Sequence, residues 1–178
     1  MSNNLLIVID MQHDFVDGAL GTPEAQGIVA TVAARARSYE GTVVFTKDTH
    51  GNDYLSTQEG INLPVPHCMR ETPGWDLVPE LEEVRASRNA LVFEKPSFGS
   101  LELASWITQQ HARTPFDSIE LCGLCTDICV VSNALLIKTN LPEVPLCVNP
   151  SLCAGVTPEA HEAAIRTMAS CQIDVCGR

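Results

Sequence analysis

Asp10, Lys95 and Cys129 are the three side chains of this sequence whose types together allow nucleophilic attack on a carbonyl. A thiol attacks once its proton is removed, a carboxylate can take and return that proton, and an ammonium can hold both anions in place. Cys129 lies in SIELCGLCTDICVV, residues 118–131, where an apolar run ends at Gly123, the polar pair Thr126-Asp127 follows, and a second apolar run begins. The pattern predicts strand, tight turn and helix, with Thr126 or Asp127 as N-cap and Cys129 in the first helical turn. Free amides and the positive end of the helix dipole favour a thiolate there. Taken singly, a cysteine is usually a packing residue, a strand-end aspartate a turn former and a lysine a solvated charge. Placement of all three at one edge of a sheet reverses that reading.

A second set has the composition of a metal centre: Asp48-x-His50, then Glu59 and His67. Two imidazoles and two carboxylates suit one borderline divalent ion, zinc first, with iron or manganese as alternatives, and leave positions for water or substrate. Asp53 or Ser56 could stand in for Glu59. His13, His111 and His161 read as solvated side chains without a role. Cys122 and Cys125 form a C-x-x-C, but no second pair at zinc-ribbon spacing exists and one sulfur falls inside a predicted strand, so the spacing reads as fortuitous.

The elements that must position these groups follow from periodicity. Residues 5–10 (LLIVID), 42–48 (TVVFTKD) and 90–94 (ALVFE) are apolar strands that close on Asp10, Asp48 and, one residue later, Lys95. Pro96 keeps Lys95 extended and out of a helix. Further strands are predicted at 144–148 and 172–176, and helices over 24–38, 76–84, 100–111 and 158–170. Residues 49–75 form a long polar stretch without periodicity, a length that points to function. Six strands alternating with helices predict a three-layer α/β/α fold around a mostly parallel sheet. Ligands of such sheets bind beyond the strands' carboxyl ends, so Asp10, Asp48, Lys95 and the Cys129 turn should face one crevice. In it Asp10 would accept the Cys129 proton and return it to a leaving amine, while the backbone amides of Cys125 and Cys129 bind the oxyanion.

Bulk properties limit the alternatives. A chain of 178 residues is expected to fold as one domain spanning 1–178 without staples. Eleven basic and 22 acidic residues give a net charge of -11, which disfavours nucleic acid and anionic membranes as partners and leaves a small-molecule substrate. With 8 cysteines, no sign of a signal peptide and a first strand starting within a few residues of Met1, a reducing cytoplasm is the expected setting.

Five ordered motifs carry a family resemblance: Asp10-Met11-Gln12-His13-Asp14-Phe15; Lys47-Asp48-Thr49-His50; Pro66-His67-Cys68-Met69 with Thr72-Pro73-Gly74; Lys95-Pro96-Ser97-Phe98; and Gly123-Leu124-Cys125-Thr126-Asp127-Ile128-Cys129-Val130. Over nearly the whole chain the sequence resembles the isochorismatase-like cysteine hydrolases, and among them the nicotinamidases. The resemblance implies a six-stranded parallel sheet in a Rossmann-like layout, an Asp10, Lys95 and Cys129 triad, and a cis peptide at Leu124-Cys125. It implies a metal on Asp48, His50 and His67, with Glu59 where some members have a further carboxylate ligand. The pyridine nitrogen of nicotinamide would meet the metal, and Phe15 would pack near the ring. The implied reaction is cleavage of nicotinamide, or a close aromatic amide, to the acid and ammonia through a thioester; a homo-oligomer is the expected assembly. Thr49 and Leu63-Pro64-Val65 stand where nicotinamidases often have a tryptophan and an aromatic residue, so a small carbamoyl or ureido amide is the alternative substrate. Isochorismatases proper work without the cysteine, and Cys129 speaks against that activity.

Overall fold

Leu5, Leu6, Ile7, Val8 and Ile9 have no exposed surface, the state expected of a central strand covered on both faces. In the computed structural model, which describes residues 2–177, this run is β1 (Asn4–Ile9). It is flanked by β2 (Thr42–Asp48), β3 (Leu91–Lys95), β4 (Ser118–Leu124), β5 (Leu146–Ala154) and β6 (Asp174–Val175). All neighbours pair parallel in the order β3-β2-β1-β4-β5-β6. The order reverses between β1 and β4, which opens a crevice at their carboxyl ends.

Among the described residues, seven α-helices accompany the sheet: α1 (His13–Val16), α2 (Pro23–Ser38), α3 (Gln58–Asn62), α4 (Pro79–Ser87), α5 (Leu101–Arg113), α6 (Val131–Asn140) and α7 (Pro158–Ser170). Thr22, Ser100 and Thr157 cap α2, α5 and α7, each hydroxyl accepting a backbone N–H in the first turn. Such a cap is worth about 1 kcal/mol against alanine and fixes where the helix starts. Among the described residues, no helix is long and apolar enough to cross a membrane.

The fold follows the predicted class, with local departures. The helix expected over 76–84 begins at Pro79, whose missing N–H and fixed φ suit a first helical position, and runs on to Ser87. The strand expected over 144–148 continues to Ala154. Polar Asn149, Pro150 and Ser151 hide this continuation: the ladder shifts register opposite Leu121 and Gly123, and Asn149 Oδ1 accepts the Ser151 amide in place of a strand partner. The last strand shrinks from 172–176 to Asp174–Val175. The stretch 49–75 contains two single 3₁₀ turns, Tyr54–Ser56 and Pro73–Trp75, and α3, which Thr57 caps by accepting the Gly60 N–H.

Two registers matter for the site. Asp48 lies opposite Lys95 across β2 and β3, and Ile9, just before Asp10, lies opposite Gly123 across β1 and β4. Gly123 has φ +113°, and a Cβ there would stand 2.1 Å from the Ile9 carbonyl oxygen. Only glycine lets the end of β4 approach β1 so closely.

Candidate active site

Asp10 leaves β1 with φ 46°, a left-handed conformation uncommon outside glycine. Thr46, on the neighbouring strand β2, fixes its carboxylate: the Thr46 hydroxyl donates to Asp10 Oδ1 at 2.6 Å and accepts the Asp10 N–H at 3.2 Å. From the end of β3, Lys95 Nζ reaches 2.7 Å from Asp10 Oδ2 and 3.3 Å from Cys129 Sγ. It also donates to Asp48 Oδ1 at 3.3 Å and to the Ser97 carbonyl at 3.1 Å. The buried Asp10 Oδ2 faces Lys95 Nζ and, among the described residues, makes no further hydrogen bond. The three side chains singled out in the sequence therefore meet in one buried cluster.

Burial sets the electrostatics of this cluster. It lifts the Asp10 pKa above the ordinary carboxylate value, against the pull of Lys95 and with help from the Asp48 charge. Burial would also strip the Lys95 proton, but Asp10, Cys129 and Asp48 outweigh it and hold the ammonium. Burial, followed by the Asp10 charge, pushes the Cys129 thiol well above its usual value. Burial and the neighbouring carboxylates oppose the thiolate expected at a helix N-terminus, while Lys95 favours it.

The turn that carries Cys129 is a π-helical turn, Thr126–Val130, that runs into α6. Neither expected N-cap acts as one: Cys125 occupies the cap position and no side chain bonds there. Instead Thr126 Oγ1 lies 2.8 Å from His161 Nδ1 on α7, and Asp127 Oδ1 accepts the Val156 N–H at 3.0 Å. His161, read from sequence as solvated, is half-buried and braces the turn. Asn133, one helical turn past Cys129, donates to the Cys129 and Phe98 carbonyls and accepts the Ser100 N–H. The Leu124-Cys125 peptide is cis, as the resemblance implies.

The second predicted set also converges. Ligand atoms of Asp48, His50, Glu59 and His67 all lie within 4.8 Å of one another. His50 Nε2 is 3.0 Å from Asp48 Oδ2 and 3.7 Å from Glu59 Oε1; His67 Nε2 is 3.6 Å and 3.7 Å from the same two oxygens. Ligands about 2.0–2.2 Å from one ion stand at nearly these separations. His67 Nδ1 donates to the Val65 carbonyl at 2.8 Å, which leaves Nε2 as the acceptor a metal needs. The donor set fits a divalent ion. Burial opposes ionisation of Asp48, but the contacts of its carboxylate with the His50 and His67 imidazoles and the charge of Lys95 win, and its pKa lies well below the ordinary range. Asp48 touches both halves of the site, Lys95 through Oδ1 and the imidazoles through Oδ2. Of the alternatives to Glu59, Asp53 is not among the converging donors, and the Ser56 hydroxyl donates to the Asp53 backbone carbonyl in the 3₁₀ turn.

Two supports carried no sequence signal of their own. Gln12 is fully buried and clamps Asp48 through its backbone, accepting the Asp48 N–H at 2.7 Å and donating to the Asp48 and Trp75 carbonyls. Tyr54 packs its ring 4.7 Å from His50 and 5.1 Å from His67 and donates to the Leu63 carbonyl. A cavity of about 210 Å³ joins the two halves, with Cys129 and Cys125 on one side, Asp48, Glu59 and His67 on another, and Phe15, Leu63, Phe98 and Ile128 among its apolar walls. Phe15 also packs 5.5 Å from the His67 ring. The space suits a small molecule with one ring.

A family model described as the isochorismatase domain matches residues 4–178. The chain belongs to the isochorismatase family. This isochorismatase-family chain is 27% identical to the nicotinamidase/pyrazinamidase of Mycobacterium tuberculosis, over 96% of each protein. Among solved structures it resembles the pyrazinamidase of Pyrococcus horikoshii in complex with zinc, at 27% identity, 99% coverage of each chain and a TM-score of 0.80. It also resembles the nicotinamidase of Bacillus subtilis, at 26% identity, coverage of 98% of this chain and 99% of that one, and a TM-score of 0.84. A member of this family that combines these relatives with a thiol, carboxylate and ammonium in contact is a hydrolase acting on amide bonds.

Proposed function

We propose that the chain hydrolyses nicotinamide, or a close aromatic amide, to the carboxylic acid and ammonia through a thioester on Cys129. The observation that carries this reading is Lys95 Nζ set between Asp10 Oδ2 and Cys129 Sγ, at the wall of a one-ring cavity that also holds a metal-type donor set.

The Cys129 proton passes to Asp10 Oδ2 as the sulfur attacks the amide carbon. Lys95 holds the resulting charges, and the Cys125 and Cys129 amides bind the oxyanion, a contact often worth about 3 kcal/mol of barrier. Asp10 then delivers the proton to the amine, the carbon–nitrogen bond breaks and ammonia departs, leaving the acyl group on sulfur. Water, deprotonated by Asp10, attacks the thioester; the acid leaves and the proton returns to the sulfur. A raised Asp10 pKa suits a group that both takes and gives a proton. Asp48, His50 and His67, with Glu59 as a fourth donor, would hold a divalent ion, zinc first, which when bound offers a Lewis-acidic anchor for a ring nitrogen. Phe15 and Phe98 would bracket the ring.

Ammonia release from a panel of amides, with and without chelator, tests the reading. Turnover fastest on nicotinamide and lowered by chelator is expected. Turnover confined to carbamoyl or ureido compounds and indifferent to chelator would overturn it, and would favour the reading raised by Thr49 and the aliphatic run 63–65.

A further inference from the structure

Away from the crevice, at the β5–β6 edge of the sheet, two of the remaining thiols meet. Cys147 on β5 and Cys176 just past β6 place their sulfurs 2.8 Å apart, although the residues are 29 positions apart in sequence. Both are half-buried. Cys147 lies opposite Asp174 in the parallel ladder, and the Cys176 N–H donates to the Val148 carbonyl at 3.0 Å, so backbone pairing holds the two side chains together. A disulfide needs its sulfurs at about 2.05 Å, so a small side-chain movement would close the bond.

We propose that Cys147 and Cys176 form a reversible redox site that takes up an intramolecular disulfide by exchange with a low-molecular-weight disulfide of the glutathione class. The Cys176 sulfur attacks one sulfur of the oxidant, its S–S bond breaks, one thiol departs, and Cys176 carries the mixed disulfide. Cys147 then loses its proton to the medium and attacks the Cys176 sulfur, expelling the second thiol. The protein dithiol loses two electrons and two protons; the oxidant becomes two thiols.

The other thiols are placed differently. Cys68, Cys122, Cys129 and Cys153 are buried and Cys125 is half-buried, and burial holds each thiol above the ordinary range, which slows attack on an external disulfide. Cys171 is exposed and can take an adduct, but the described residues give it no sulfur neighbour at bonding reach. The Cys176 thiol, held against Cys147, lies below the usual cysteine value and is the one suited to attack first. The link would span α7, whose His161 braces the Cys129 turn through Thr126. A bridge closing so long a segment restrains the unfolded chain, so the oxidised protein should melt at a higher temperature with its site intact.

The test is incubation of the full chain with excess glutathione disulfide, alkylation under denaturing conditions and peptide mapping by mass spectrometry, with Cys171→Ser as background to remove the exposed thiol. A cross-linked Cys147–Cys176 peptide pair that reductant releases is expected, with a melting temperature above that of the reduced protein. In Cys147→Ser the expected product is a stable glutathione adduct on Cys176, with no oxidant-dependent shift in melting. Reduced Cys147→Ser should retain the parent's amide hydrolysis. Alkylation of both Cys147 and Cys176 after oxidant treatment, or adducts that collect on Cys129 while the pair stays reduced, would overturn the proposal.

Discussion

Asp10, Lys95 and Cys129 are 0%, 1% and 4% exposed and stand at the ends of β1 and β3 and in the helical turn after β4, whereas the metal-type group spreads from a strand end into the long segment 49–75, where the Glu59 side chain is 21% exposed. The first half is fixed by ladder register and by charges that need one another. The second is held by local devices: a 3₁₀ turn, a Thr57 cap, a tyrosine packed against both imidazoles. Removing a charge from the buried half should therefore damage stability and chemistry together, while removing a ligand from the loop half should empty a site and leave the fold standing. Asp48 is where the halves meet.

The largest expected effect comes from the nucleophile. Cys129→Ala should lower amide turnover by about 10⁴-fold or more while metal content and melting stay near those of the parent. Turnover within tenfold of the parent would break the comparison by moving the chemistry out of the buried half. Next, Lys95→Met leaves Asp10 and Asp48 as buried anions without their cation, and urea unfolding should show a loss of about 3–5 kcal/mol. A loss below about 1 kcal/mol would mean that the cluster is not electrostatically interdependent.

On the loop side, His67→Ala should weaken metal binding by more than about 100-fold, measured by competition with a chelator, with little change in unfolding. Alkylation of Cys129 should keep its rate within about twofold, since the sulfur's partners are untouched; a large change would couple the halves more tightly than Asp48 alone allows. The smallest effect belongs to Thr46→Val, which removes a hydrogen bond that holds the Asp10 pKa down. Asp10 must be ionised to act as base, so a further rise in its pKa moves the acid limb of kcat/KM to higher pH, with a rate loss of about tenfold below that limb. An unmoved limb would assign that titration to a different group.

The sequence disclosed the two halves unequally, for physical reasons. Asp10, Asp48 and Lys95 close apolar runs, and a run buried on both faces is legible because little else is so uniformly apolar. The loop ligands were read from their residue types and from the family's motifs, because no periodicity governs a polar stretch of short turns. Gln12, Asn133 and Tyr54 act by bonds to backbone and by packing across the fold, and such roles depend on neighbours distant in sequence. What opposes a thiolate at Cys129 was hidden for a related reason. A local rule about helix ends cannot register that two carboxylates from other strands share the cavity.

The most direct test of the central claim is to quench nicotinamide turnover rapidly in acid and map the protein by mass spectrometry. A nicotinoyl group on Cys129, formed and lost at rates that match ammonia release, is the expected result. Turnover with Cys129 unmodified at every time point, or an acyl group on another residue, would contradict the account.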